Sequence, residues 1–94
     1  MTRYHCSVDV RLKPGLLDPQ GKAVEGSLPT MGWTNVSDVK VGKHIEFDLE
    51  AADEAAAVEQ ISDISERLLS NPVIETFVIR DLSEHDGVTR EDGP

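Results

Sequence analysis

The chain has 94 residues, 38% hydrophobic and 29% charged, with eighteen Asp and Glu against nine Lys and Arg for a formal charge of −9. That length makes one domain, which buries somewhat over ~60% of its unfolded surface without needing disulfides or metals. The basic residues are scattered rather than clustered on one element, which disfavours nucleic acid and a membrane surface as partners.

No apolar run approaches ~18 residues, and the N-terminus lacks the charged-then-apolar order of a signal peptide, so the chain is expected to be soluble and cytoplasmic. The single cysteine, Cys6, excludes a disulfide framework and is expected to be a buried, inert thiol.

From His5 to Lys13 the residues alternate. Cys6, Val8, Val10 and Leu12 share one face, and His5, Ser7, Asp9 and Arg11 the other, which predicts a half-buried strand. The segment Lys13 to Gly26 is the least generic in the chain. Asp18 can accept from the first-turn amides of a helix, and Pro19 fits its first position. Gly21 and Gly26 then fall inside that helix, where each costs roughly 1 kcal/mol relative to Ala. Their retention points to close approach by another backbone, from this chain or a partner. Val24, Leu28 and Met31 lie on one side of the helix, and Gly32 ends it. Trp33 is expected to fold back on the last turn, and Pro29 to loosen that turn.

Val36 to Val41 reads as a second strand and His44 to Ala51 as a third, joined through Gly42 and Lys43 as a hairpin. A plain two-residue loop would set the valines opposite Ile45, Phe47 and Leu49, so an odd loop or a bulge near Gly42 is expected. Asp53 caps a second helix with Glu54 in its first turn and Arg67 in its last. Ala57, Ile61, Ile64 and Leu68 form its apolar stripe, and Glu59, Asp63 and Glu66 a solvated face. After Asn71-Pro72, a fourth strand from Val73 to Leu82 is apolar on both faces: Ile74 and Val78 point one way, Val73, Phe77 and Ile79 the other. A second burying surface is implied, most simply another copy of the chain meeting Phe77 and Ile79. Residues 83–94 hold one aliphatic residue and are expected to be a disordered acidic tail behind a single domain at 1–82.

The order β-α-β-β-α-β predicts an α+β, ferredoxin-like sandwich: a four-stranded antiparallel sheet with two helices on one face, and strand pairing or exchange between protomers as its main complication.

Catalytic patterns are missing. His5, His44 and His85 have no Cys or His at metal-ligand spacing, the glycines form neither a phosphate loop nor a dinucleotide fingerprint, and the serines lack a paired base. On residues alone this is a small acidic α+β domain that self-associates.

Three motifs in order, the run Val8 to Gly26, then Val-Lys-Val-Gly-Lys-His-Ile-Glu-Phe from Val39, then Leu-Leu-Ser-Asn-Pro-Val-Ile-Glu from Leu68, resemble the PurS family, the small subunit of bacterial phosphoribosylformylglycinamidine synthase. Pro29 and Trp33 depart mildly from the family pattern. The resemblance implies a part in de novo purine synthesis, within a ligase complex that aminates formylglycinamide ribonucleotide using glutamine and ATP. It implies a dimer, or a dimer of dimers, that bridges a glutaminase subunit and a large synthetase subunit and helps ammonia pass between them. It also implies no catalytic residue, metal or cofactor on this chain, with ATP and Mg held by the synthetase. The expected partner surface is Lys13, Gly15, Leu16, Leu17, Asp18, Pro19, Gln20 and Gly21, with Gly42, Lys43 and Asn71.

Two other readings compete. One is a free-standing ferredoxin-like regulatory module binding a small metabolite between protomers. The other is an acylphosphatase-like enzyme, which needs an arginine in a phosphate-cradling loop after the first strand, where this chain has Lys13 and Pro14.

Overall fold

The computed structural model describes residues 1–84. The elements are β1 (Thr2–Leu12), α1 (Pro19–Ser27) with a 3₁₀ turn (Pro29–Met31), β2 (Lys43–Ala51), α2 (Glu54–Ile64) with a π turn (Ser65–Leu69), and β3 (Glu75–Glu84). Among the described residues the sheet has three antiparallel strands in the order β2-β1-β3. β1 lies in the centre, hydrogen-bonded to β2 on one side and β3 on the other. Cys6, Val8 and Val10 are fully buried with Ile61 of α2, and Ile45, Phe47, Leu49, Phe77, Ile79 and Leu82 pack around them. Tyr4, Ala51 and Ala57 close the core at the other end. The Cys6 thiol is free and buried, and burial pushes its pKa up to about 11, which disfavours the thiolate.

The expected four-stranded layout is corrected at Val36–Val41, which is not a strand of this sheet. The period-two pattern is real, but its alternate amides have other acceptors: Val39 N–H donates to Glu25 Oε1 at 3.2 Å and Val41 N–H to Asp18 Oδ2 at 2.8 Å. The segment therefore runs along α1, held by the helix's own carboxylates. With no hairpin there is no parity conflict at Gly42. The irregularity falls instead in β3, where Ser7 pairs with Asp81 but Val8 with Ile79, leaving Arg80 as the extra residue of a bulge. That bulge lets Leu82 share the inner face with Phe77 and Ile79, and it turns Arg80 onto Asp9 at 2.9 Å.

A second correction concerns the helices. α2 packs on the sheet, whereas α1 chiefly contacts its own 3₁₀ turn and leaves Val24 46%, Met31 66% and Trp33 51% exposed. Only one large apolar side chain lies within Pro19–Ser27, too little apolar area to hold a short helix against a sheet. The chain is accordingly extended, 52 × 33 × 16 Å, with a radius of gyration of 17.1 Å against about 13 Å for a compact chain of about 100 residues.

The helix ends follow the sequence more closely. Gly21 N–H donates to Asp18 Oδ1 at 2.8 Å and Ala56 N–H to Asp53 Oδ1 at 2.8 Å. Pro29 tightens the end of the first helix into the 3₁₀ turn, Gly32 closes it at φ 102°, and Trp33 N–H returns to the Leu28 carbonyl at 3.0 Å, although the indole stays half exposed. The π turn corrects the stripe of α2. One wider turn brings Ser65 and Leu69 over the sheet in place of Ile64 and Leu68, and Leu68 is left 79% exposed. Ser65 Oγ is buried there without a hydrogen-bond partner among the described residues.

The fourth predicted strand starts two residues late and runs two past Leu82, so the expected domain end falls inside β3. His85 and most of the expected tail lie outside the described residues.

Candidate functional site

The candidate site is the end of the sheet where β1 finishes and β2 begins. Asp18 is its centre. Its side chain is nearly buried, and its two oxygens accept from Gly21 N–H and Val41 N–H, tying the start of α1 to the approach to β2. Those bonds hold the Asp18 carboxyl below the usual carboxylate range, the Val41 amide contributing most.

Gly21 is buried because the crossing segment lies directly on it: a Cβ there would fall 2.2 Å from the Val39 carbonyl oxygen. Gly42 is under the same constraint, since a Cβ would approach the Val10 carbonyl oxygen to 2.7 Å. Gly21 thus meets this chain's own connecting segment, and neither the sheet nor open surface. Gly26 meets nothing within 4 Å.

The remaining residues of the expected surface gather at the same end. Lys13 N–H donates to the Ile74 carbonyl at 2.8 Å, Ile74 N–H donates to the Asn71 carbonyl at 3.0 Å, and Lys43 Nζ donates to the Leu69 carbonyl at 3.0 Å. The turn at Asn71 therefore stands beside both Lys13 and Lys43. Gly15, Leu16, Leu17, Pro19 and Gln20 are exposed around Asp18, Leu17 by 73%. Phe77 and Ile79 lie elsewhere, opposite Val10 and Val8 on the inner face, partly covered by this chain's own core.

Sequence reasoning missed Glu25, Val39, Lys40 and Val41. A usable signal was the seven-residue interval from Asp18 to Glu25, which sets two carboxylates on one side of a helix facing a Val-x-Val run.

The outer face of the sheet carries a second charged arrangement. His5 Nδ1 meets Asp48 Oδ1 at 2.7 Å and its Nε2 meets Glu46 Oε1 at 3.2 Å; His44 Nδ1 meets Asp9 Oδ1 at 2.6 Å, and Arg3 closes on Asp48 at 3.1 Å. The register opposes Asp9 to His44 and Ser7 to Glu46, so no carboxylate pair forms across β1 and β2. Hydrogen bonds to Asp48 and Asp9 raise the pKa of His5 and His44, and those to His44 and His5 lower Asp9 and Asp48.

The signs define a pH response. Raised histidine values stabilise the fold below the ordinary value of 6.5 and lose that contribution as pH rises through the folded values. Lowered aspartates contribute above their ordinary range and lose it in acid. Between about pH 6 and about pH 8 the wild-type melting temperature should fall, and the double variant His5→Gln/His44→Gln should flatten that fall. Parallel wild-type and variant curves over this interval would mean that the pairs contribute nothing.

Among the described residues no cluster of His, Cys, Asp and Glu could hold a metal ion, and no helix is long and apolar enough to cross a membrane.

Comparison with known proteins gives one consistent result. The family model for phosphoribosylformylglycinamidine (FGAM) synthase, PurS, matches residues 5–82. A phosphoribosylformylglycinamidine synthase subunit PurS from Synechocystis sp. is 43% identical over 86 residues, covering 92% of this chain and 86% of the relative. The solved PurS of Thermus thermophilus superposes with a TM-score of 0.76 at 40% identity, over 88% of this chain and 98% of that one. A chain of the PurLQS structure from Thermotoga maritima gives a TM-score of 0.75 at 28% identity, over 90% of this chain and all (100%) of that one.

Proposed function

Since the chain belongs to the PurS family, matched from residue 5 to residue 82, we propose that it is the small, non-catalytic subunit of a phosphoribosylformylglycinamidine synthase, bridging a glutaminase subunit and an ATP-dependent synthetase subunit so that ammonia passes from one to the other. The observation that carries this reading is the match to PurS proteins over nearly all of the chain, together with the occurrence of a related chain in a solved PurLQS assembly.

The partner-facing surface in this proposal is the Asp18 end of the sheet. Of the residues expected there, all but Lys13, Asp18 and Gly21 are exposed. Those three serve as its frame, and Leu16 and Leu17 supply apolar area for a partner to cover. Self-association is proposed on a different surface. The exposed stripe of α1, with the partly covered Phe77 and Ile79 that α1 leaves open, is an apolar area a second copy would bury, and among the described residues β2 and β3 both have unpaired edges for strand pairing.

Co-sedimentation tests the assembly. The purified chain should move with the glutaminase and synthetase subunits of the same enzyme in one boundary. If it sediments alone while a small metabolite raises its melting temperature, the rival regulatory-module reading replaces this one.

A further inference from the structure

The outer side of the Asp18 end opens into a cleft of about 310 Å³ whose charge is opposite to that of the chain. In a protein of formal charge −9, Arg11, Lys13 and Lys40 all line this one space. Lys40 reaches Asp38 at 3.2 Å across an exposed pair, whereas among the described residues Arg11 and Lys13 have no ion-pair partner. Asp18, the only carboxylate of the lining among the described residues, is already committed to the Gly21 and Val41 amides. The floor is apolar, and part of it is uncovered, with Leu16 40% and Val78 52% exposed.

We propose that this cleft receives an acidic polypeptide segment of a partner subunit, with an aliphatic side chain on Leu16 and Val78 and carboxylates against Arg11 and Lys13. The inference rests on the bridging reading above and specifies its chemistry. Charge complementarity points to the acidic ligand. The loop's backbone points to a polypeptide and away from a small phosphate, because a tight phosphate site needs several amides converging on one point. Here the Lys13 amide is spent on the Ile74 carbonyl, Pro14 has none, and the Leu16 amide turns back to the Lys13 carbonyl at 3.4 Å. Two charges at the mouth of an apolar cleft suit docking that is steered by charge and screened by salt.

The test measures affinity for the glutaminase and synthetase subunits separately, with the full wild-type chain and with Arg11→Gln/Lys13→Gln. Affinity for one of the two partners should weaken on the order of tenfold in the double variant, which should also lose most of the salt dependence that the wild type shows between about 0.05 M and about 0.3 M. Affinity for the other partner and the melting curve should hold. Should the double variant melt early, Lys13→Gln alone and the salt titration of the wild type carry the same comparison. Wild-type binding with unchanged affinity and salt slope in the variants would overturn the cleft assignment and leave bridging intact; failure of the wild type to bind either subunit would overturn both. Inorganic phosphate displacing the partner beyond the effect of chloride at equal ionic strength would reassign the cleft to a small anion.

Discussion

Gly21→Leu should lower the melting temperature by on the order of 10 °C and strip protection from the amides of Val39 and Val41. The reason is steric. A Cβ at position 21 would lie 2.2 Å from a backbone carbonyl oxygen, which cannot rotate aside as a side chain could. Either the helix moves or the crossing segment leaves, and the second route gives up the bonds to Asp18 and Glu25. Over-packing of this kind costs about 2 kcal/mol, and in a domain of this size each kcal/mol is worth roughly 4–8 °C. Gly26→Leu is the matched control, because nothing lies within 4 Å of that site and Leu is the better helix former. It should melt at or slightly above the wild-type temperature. A Gly21→Leu chain with wild-type melting and intact protection at Val39 would show that the segment does not lie on α1 in solution.

The second large effect separates folding from self-association. Phe77 packs on the core of its own chain, so Phe77→Asp should destabilise a single copy by about 3–5 kcal/mol and leave little folded protein. Val24 and Met31 are exposed in one copy. Val24→Asp/Met31→Asp should therefore leave the fold intact while light scattering falls to the mass of a monomer. An unchanged mass in the double variant would move self-association away from α1 and on to the strand edges or the inner face of β3.

These two experiments also mark what was legible in the sequence. The caps at Asp18 and Asp53, the break from regular helix at Pro29, which tightens the turn where loosening was expected, and the first strand with its buried Cys6 were readable because each depends on residues within a few positions of one another. Val36–Val41 was not, because alternation specifies an extended segment but not its partner, and the acceptors here are the carboxylates of Asp18 and Glu25. The bulge at Arg80 and the π turn at Ser65–Leu69 were hidden for a similar reason. Each shifts which residues face the core by one position, which happens to Leu82 and Leu69, and local spacing carries no trace of the shift. The residues of the Asp18 end were recognisable as a group only through the motifs they share with PurS proteins; that they converge on one end of the sheet depends on the Lys13–Ile74 and Lys43–Leu69 bonds, which are long-range.

In the function proposed above, this chain couples two other subunits without performing chemistry. The most direct test is amination of formylglycinamide ribonucleotide by the glutaminase and synthetase subunits with and without this chain, using glutamine in one series and ammonia in the other. Omitting the chain should abolish glutamine-dependent amination and leave ammonia-dependent amination largely in place. Glutamine-dependent turnover at the full rate in its absence would contradict the proposed function.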